Sequence, residues 1–511
     1  MAVSKLNSAI HTTVDVAIIG TGFAGLGMAM QLKEAGLNDF VLLEKAGEVG
    51  GTWRDNHYPG CACDVPSHLY SFSFAQNPEW SRLFSPQPEI LKYLKRVTDE
   101  RGIREHIRFN STLSEARWDE AAGVWNIRTA EGDRYTARIL ISGMGGLSRP
   151  AYPQGIKGLE NFKGKTFHSQ DWDHAYDLNG KRVAVFGTGA SAIQFVPKIQ
   201  KQAARIDLYQ RTPPWITPKP DRPMSESTQA LFKKLPAVQN LLRKTIYTLL
   251  EARAVGFVVN PRMMAIDDKM ARAHLKKQVK DPELRKKLTP DYKIGCKRVL
   301  ISNDYYPAVS KPNVSLVTEG IQEVKAHSVI DGNGVEREVD AIIFGTGFQA
   351  TDPVPGKMIF GKGGVDLLDT WQDGPEAYKG TTVAGFPNLF LIVGPNVGLG
   401  HSSMVYMIES QVAYVMDALK TMKQIDKPVM EVKAEKQAEF NARLQEKTQG
   451  TVWNTGGCKS WYLHPKSGKN VTLWPGFTWQ FRNETKKFDT EAYELTALAH
   501  TAPMGKNVIP A

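Results

Sequence analysis

Residues 14–36 read VDVAIIGTGFAGLGMAMQLKEAG. Val14 to Ile19 form a nearly unbroken apolar run, the pattern of a parallel strand buried on both faces. The run ends in the turn Gly20-Thr21-Gly22-Phe23-Ala24-Gly25, and an Ala-, Leu- and Met-rich helical pattern follows. A second apolar strand, Phe40–Leu43, ends at Glu44, about 20 residues past the glycines, the spacing of a dinucleotide-binding strand–turn–helix unit. Each residue has a separate task. Gly20 makes the tight turn, Gly22 lets backbone N–H groups approach a pyrophosphate, and Gly25 lets the helix pack closely on the strand. Glu44 accepts hydrogen bonds from an adenosine ribose that bears no 2′-phosphate, which suits FAD.

The same grammar recurs in KRVAVFGTGASAIQFVPKI, residues 181–199. A strand over Arg182–Phe186 leads into Gly187-Thr188-Gly189-Ala190-Ser191-Ala192 and then a helix. Here the following strand, Ile206–Tyr209, ends in Gln210-Arg211-Thr212 and not in an acid. An Arg and a hydroxyl at that place suit a 2′-phosphate, and therefore NADPH. One site without a phosphate-binding Arg and one with it describe a flavoprotein that draws electrons from NADPH.

The expected fold class is α/β, with two dinucleotide-binding (Rossmann-like) domains, the NADPH domain inserted in the FAD domain and carrying a helical insert. The segments run 1–146 (FAD domain, first part), 147–221 (NADPH domain, first part), 222–292 (helical insert), 293–345 (NADPH domain, second part) and 346–511 (FAD domain, second part). Ile141–Gly146 is the outbound linker, and VDAIIFGTGF, Val339–Phe348, reads as the strand that returns the chain. Phe386–Gly398 supplies a further buried strand and a Gly/Pro turn, followed by a helix carrying Met404. In the insert, Leu242, Ile246, Leu249 and Leu250 share one helical face, and Ile266, Met270 and Ala273 continue the pattern as packing surface. Asp281-Pro282-Glu283 reads as an N-cap with Pro in the first turn.

The net charge of +11 raises the question of a nucleic-acid partner, but no recognition motif accompanies it. Basic pairs such as Lys233-Lys234, Lys276-Lys277 and Lys286-Lys287 lie in helical patterns as solvated faces. No run of eighteen apolar residues occurs, so no stable membrane insertion is expected. The N-terminus carries no long apolar stretch before its first strand, hence no secretory signal. The cysteines Cys61, Cys63, Cys296 and Cys458 are too few for a disulfide scaffold, and a cytoplasmic protein is expected. The Cys61/Cys63 pair lacks the CxxC or CxxxxC spacing of a redox dithiol and the further ligands of a metal site, so no metal is expected.

FKGKTFHSQDWD, Phe162–Asp173, taken alone is a polar loop punctuated by aromatics. Placed just before the second glycine turn, it resembles the FxGxxxHxxxW[P/D] fingerprint of type I Baeyer–Villiger monooxygenases. GGTWRDNHYPGCACD, Gly50–Asp64, looks like that family's GGxWxxxx[YF]PGxxxD segment, and the end of Val339–Phe348 resembles its ATG-type linker with Gly345 in place of Ala. The resemblance runs from about residue 14 to about residue 480, nearly the whole chain.

It implies that NADPH reduces FAD, that the reduced flavin captures O2 as a C4a-peroxide, and that attack on a ketone yields an ester or lactone. Arg298, in Gly295-Cys296-Lys297-Arg298, matches the family's active-site Arg, Asp64 the acid that holds it, and Lys297 a residue that assists recognition of the 2′-phosphate. Arg298 and Asp64 are thus the implied catalytic pair. The FAD set is Gly20, Gly22, Phe23, Gly25, Glu44, Thr52, Trp53, Asp64, Tyr70, Leu113 and Met404. The NADPH set is Gly187, Thr188, Gly189, Ala190, Ser191, Arg211, Thr212, Lys297, Arg298 and Trp461. Trp461 resembles a Trp on the family's mobile loop, the alternative being a buried C-terminal aromatic. His168 is implied to couple domain rotation to catalysis, and an ionic Asp64–Arg298 contact with a structural role only is the plain alternative to the catalytic one. His57 departs from a position commonly Arg. The partners are a small-molecule ketone and O2. The rival activities are N- or S-oxygenation by a flavin monooxygenase, flavin disulfide reduction, and a non-catalytic nucleotide-binding protein.

Overall fold

The computed structural model describes residues 10–497 except 351–353, 355 and 427, so the outer ends of the first and last expected segments lie outside the described residues. Two parallel-centred sheets carry the architecture. In the larger, the strand order is Ile359–Phe360, Leu113–Asp119, Val124–Thr129, Arg134–Ser142, His11–Ile19, Phe40–Leu43, Ile107–Arg108, and Leu389–Leu391 also pairs parallel with Arg134–Ser142. Its central strand, His11–Ile19, runs parallel to both neighbours. Val14, Val16, Ala17, Ile18 and Ile19 are all buried, which explains the unbroken apolar run. Helix Phe23–Glu34 covers one face and packs on helix Met404–Gln424. Gly27 permits the close approach, since a Cβ there would lie 2.9 Å from the Phe72 ring.

The second sheet is parallel throughout, in the order Val314–Val317, Arg205–Tyr209, Arg182–Phe186, Ala341–Phe344, Lys165–His168. All its strands fall between residues 165 and 344, while the first sheet takes strands from both sides of that interval. The second nucleotide unit is therefore inserted in the first.

Three local expectations change. The stretch Phe162–Asp173 is not simply a loop: Lys165–His168 forms an edge strand, paired from Ala341↔Lys165 to Phe344↔His168. Four residues are too few for a period to show in the sequence. Ala341–Phe344, expected as the returning strand, belongs to the second sheet, and the chain leaves only after it. The apolar positions of the insert do not all pack. Asp281 does cap helix Pro282–Lys287, and Ile246 is buried, but Leu249 is 64% exposed and Ile266 72% exposed, with Met270 and Ala273 also outward. Helix Ala265–Gln278 buries Ala271, His274 and Leu275 instead, where the His274 ring reaches the Ser302 carbonyl. Periodicity marks a face; the neighbouring surface decides whether that face is covered.

Candidate active site

The first glycine turn is shaped by backbone contact. Gly20 has φ +93°, and a Cβ on Gly25 would sit 1.9 Å from the Gly20 carbonyl oxygen. Gly22 faces the second glycine turn, where Gly51 has φ +51° and a Cβ there would lie 3.0 Å from the Gly22 Cα. Helix Phe23–Glu34 starts at Gly22 with no side-chain cap, which leaves its first N–H groups for an anion. Glu44, at the end of Phe40–Leu43, accepts from the Thr21 N–H (3.0 Å) and hydroxyl (2.6 Å) through Oε2. Its Oε1 accepts from the Ala46 N–H at 3.0 Å and pairs with Arg54 at 2.8 Å. The carboxylate is thus held rigidly beside the turn, and a ribose hydroxyl would exchange with one of these donors. The turn and the acid together fit FAD.

Beyond the turn, Thr52 opens the short helix Thr52–Asp55, and the Trp53 indole donates to the Tyr70 hydroxyl at 3.2 Å. Phe23 packs edge-on against Tyr70 with ring centroids 5.2 Å apart. Met404 begins helix Met404–Gln424, capped by Ser403. Leu113 stands apart from this group: its side chain is buried in the core on the other face of the larger sheet, with Val14, Val41 and Leu43.

The second turn repeats the device. Gly187 has φ +104°, and a Cβ there would lie 2.4 Å from the Gly345 carbonyl oxygen, whereas Gly189 faces open space. Ala190 is exposed, Ser191 precedes helix Ala192–Ile199 without capping it, and the Thr188 hydroxyl reaches the Thr212 carbonyl at 3.5 Å. Arg211 is exposed. Burial, and then the neighbouring Arg211 charge, hold the Lys297 amine below its ordinary value. Two cations set close enough to repel form a donor set for a phosphate, so this turn fits NADPH.

The two units meet along the Gly50–Asp64 loop. Gln194 of helix Ala192–Ile199 accepts from the Tyr58 hydroxyl at 2.9 Å and donates to the Ala62 carbonyl at 3.0 Å. Gly60, φ +83°, allows this docking, since a Cβ would lie 2.8 Å from the Gln194 carbonyl oxygen. His57 Nδ1 and His174 Nε2 are 2.9 Å apart across the same seam. Burial first, and then the His174 ring, lower the pKa of His57. His168 is fully buried, its Nδ1 accepting from the Gln170 N–H at 3.1 Å, and Trp172 packs on Phe167 and Phe195.

At the end of the loop Asp64 meets Arg298. Nε donates to Oδ2 and Nη2 to Oδ1, each at 2.7 Å, a fork-to-fork pair joining residues 234 apart in the chain. Burial pushes the Asp64 carboxyl up, but the Arg298 charge and hydrogen bonds outweigh it and hold the carboxyl below its ordinary value. The Asp64 charge in turn raises the Arg298 guanidinium despite burial. The side chains remain 32% and 28% exposed, so the pair opens onto a cleft and is not sealed in the core.

The cysteines hold a further result. Cys296, two residues before Arg298, is disulfide-bonded to Cys458, a pairing the sequence reading did not include. It ties the Arg298 segment to the stretch carrying Trp461 and Tyr462. Trp461 is 48% exposed, which excludes the buried-aromatic alternative, and its ring stands edge-on against the buried Tyr462. Burial pushes the Tyr462 phenol up to about 12, with the Arg298 charge opposing. Cys61 and Cys63 are free and buried, and burial pushes the Cys61 thiol up to about 12. Both are therefore inert thiols, unlike a reductase pair.

Sequence reasoning missed several residues near the pair. Lys219 lies close enough to Asp64 and Cys63 to interact with their charges. Phe257, Leu250 and His401 border the cleft over Asp64 and Arg298, and Glu251 holds His401 from behind. Only the position of His401 just before the Met404 helix offered any signal.

A model of flavin-binding monooxygenase-like proteins matches residues 13–360. A Baeyer-Villiger monooxygenase of Pseudomonas aeruginosa is 58% identical over 501 residues, covering 97% of this chain and 95% of that relative. The structure of cyclohexanone monooxygenase from Rhodococcus sp. Phi1 bound to NADP+ aligns with a TM-score of 0.84 at 27% identity, over 96% of this chain and 100% of that one. A structure of OTEMO in complex with FAD and NADP aligns with a TM-score of 0.83 at 27% identity, over 94% and 99% of the two chains.

Proposed function

We propose a Baeyer–Villiger oxygenation for this protein, which belongs to the flavin-binding monooxygenase-like family: one oxygen atom of O2 is inserted beside a ketone carbonyl, giving an ester or lactone. The enzyme depends on FAD and NADPH. FAD, reduced by NADPH, supplies the activated oxygen; the side chains bind, orient and stabilise charge. Gly20, Gly22, Gly25 and Glu44 hold the FAD pyrophosphate and ribose, and Phe23, Thr52, Trp53, Tyr70, Leu113 and Met404 complete that site. Gly187, Thr188, Gly189, Ala190, Ser191 and Thr212 cradle the NADPH phosphates, Arg211 and Lys297 take the 2′-phosphate, and Trp461 shields the cleft.

The observation that carries the reading is the Asp64–Arg298 fork on the seam between the two units. A guanidinium cannot shed its proton at working pH, so Arg298 keeps a fixed positive charge beside the oxygen on which negative charge gathers as the carbonyl is attacked. Asp64 keeps the guanidinium in one orientation, so little reorganisation is needed at the moment of reaction. The partners are a small ketone and O2, and cytoplasmic residence is part of the proposal. No helix among the described residues is long and apolar enough to cross a membrane.

Turnover of the yellow protein with NADPH, air, a ketone panel and one sulfide tests the reading, with ester, sulfoxide and H2O2 measured against NADPH consumed. Ester nearly one-for-one with NADPH is expected. NADPH going wholly to sulfoxide or H2O2 overturns it. Arg298→Ala is expected to leave flavin reduction by NADPH in place and to lower ester formation by about 100- to 1,000-fold. Near-normal ester formation would remove Arg298 from the mechanism.

A further inference from the structure

The cleft over Arg298 is lined largely by apolar side chains, among them Val65, Leu250, Phe257, Val299 and Ile301. His401 also borders it, with its side chain 0% exposed. The imidazole is held from one edge only. Nε2 lies 3.2 Å from Oε1 of Glu251, a residue 150 positions away on helix Pro236–Ala254. Glu251 is itself fixed by two donors from Thr478, the backbone N–H to Oε2 at 3.0 Å and the hydroxyl to Oε1 at 2.7 Å. A carboxylate can only accept, so Nε2 carries the proton and a neutral ring presents Nδ1 as a bare lone pair.

That Nδ1 is buried and has no hydrogen-bond partner in the protein, and the same is true of the hydroxyl of the next residue, Ser402, which borders the same cleft. Buried polar atoms are paired almost without exception, so an unpaired acceptor in a binding cleft marks a place where a ligand supplies the donor. The arrangement differs from the Asp64–Arg298 pair in sign: Arg298 can only donate, whereas His401 accepts.

We infer that His401, its tautomer set by Glu251, is a specificity-determining residue, and that the ketone this enzyme prefers is an otherwise apolar one bearing a hydroxyl that donates to Nδ1. This rests on the Baeyer–Villiger reading of the cleft. A site built to hydrogen-bond a hydroxyl rejects the analogue lacking it, because the site's own polar atom is then left unpaired. Glu251 acts through His401 and is a positioning residue.

The test uses the FAD-loaded full-length enzyme with three ketones of the same chain length: a β-hydroxyketone, its methyl ether and the unsubstituted ketone. The wild-type kcat/KM is expected to favour the β-hydroxyketone over both others by about tenfold or more. His401→Leu brings the three values together. Glu251→Gln can donate an amide N–H to Nε2, which moves the ring proton to Nδ1. The hydroxyketone-to-ether ratio then collapses toward one with the imidazole still present, a change that a merely structural role for Glu251 would not produce. Equal wild-type values for the three ketones overturn the inference, whatever the variants do.

Calorimetric binding of the same compounds in the presence of NADP+ separates this failure from that of the underlying reaction. If no ketone is oxygenated, the Baeyer–Villiger reading fails, while tightest binding of the hydroxyketone still supports the His401 contact and equal binding rejects it. Weaker NADP+ binding by His401→Leu, with the ketone ratios unchanged, would give Nδ1 to the cofactor and also overturn the inference.

Discussion

Lys297 and Arg211 are cations set close enough for one to lower the pKa of the other. Such a pair is unfavourable until an anion lies between its members, and a phosphate converts the repulsion into two charge-assisted hydrogen bonds. Lys297→Ala and Arg211→Ala are each expected to raise the KM for NADPH by about 10- to 100-fold, with little change for NADH. Steady-state kinetics with both cofactors check this, and an equal effect on NADH would remove the phosphate from the account. His68 shows charge acting on stability. Its Nδ1 faces the Gln239 amide, and burial, followed by the Arg243 charge, lowers its pKa from 6.5 to about 4. The unfolded chain takes up a proton near pH 6.5 and the folded protein only near pH 4. The contribution is therefore complete above about 6.5 and is lost as pH falls toward 4, amounting to roughly 3 kcal/mol. Urea midpoints at neutral pH and near pH 4 are expected to differ less for His68→Gln than for the wild type.

At the scale of the element, the two glycine turns show which glycines serve the fold and which serve the ligand. Gly187 combines φ +104° with a blocked Cβ position, while Gly189 has open space around it. Gly187→Ala is expected to destabilise the protein by about 1–3 kcal/mol. Gly189→Ala is expected to leave stability within about 0.5 kcal/mol while weakening NADPH binding, because the new methyl enters the space of the pyrophosphate. Thermal melts and NADPH titrations separate the two effects, and a destabilised Gly189→Ala would place that residue in the fold. Both turns were legible in the sequence because strand, turn and helix are contiguous and each side chain's role is local. The edge strand Lys165–His168 was not legible, since its pairing with Ala341–Phe344 comes from a segment more than a hundred residues away. The outward position of Ile266 and Met270 was hidden for a related reason: an apolar face carries no mark of whether something covers it.

Across the whole molecule, the Cys296–Cys458 bond joins residues 162 apart and ties the Arg298 segment to the Trp461 segment. Closing so long a loop in the unfolded chain contributes roughly 5 kcal/mol in the chain-entropy picture. Cys458→Ser, or treatment with a reductant, is therefore expected to lower the melting temperature. Loosening the Trp461 segment should also divert NADPH consumption from ester toward H2O2, as water enters the cleft. Unchanged melting and unchanged coupling would show that the bond restrains neither.

The sequence by itself determined the two nucleotide-binding units, their nesting and the difference between their cofactors, because each rests on residues within one strand–turn–helix or at the end of the next strand. Family likeness also singled out Asp64 and Arg298. Tertiary structure alone decided how those two side chains meet, that Cys296 finds Cys458, and that Glu251 fixes His401 with one nitrogen unpaired. Those contacts join residues 150 or more positions apart, where hydrophobic period and turn chemistry carry no information about distance.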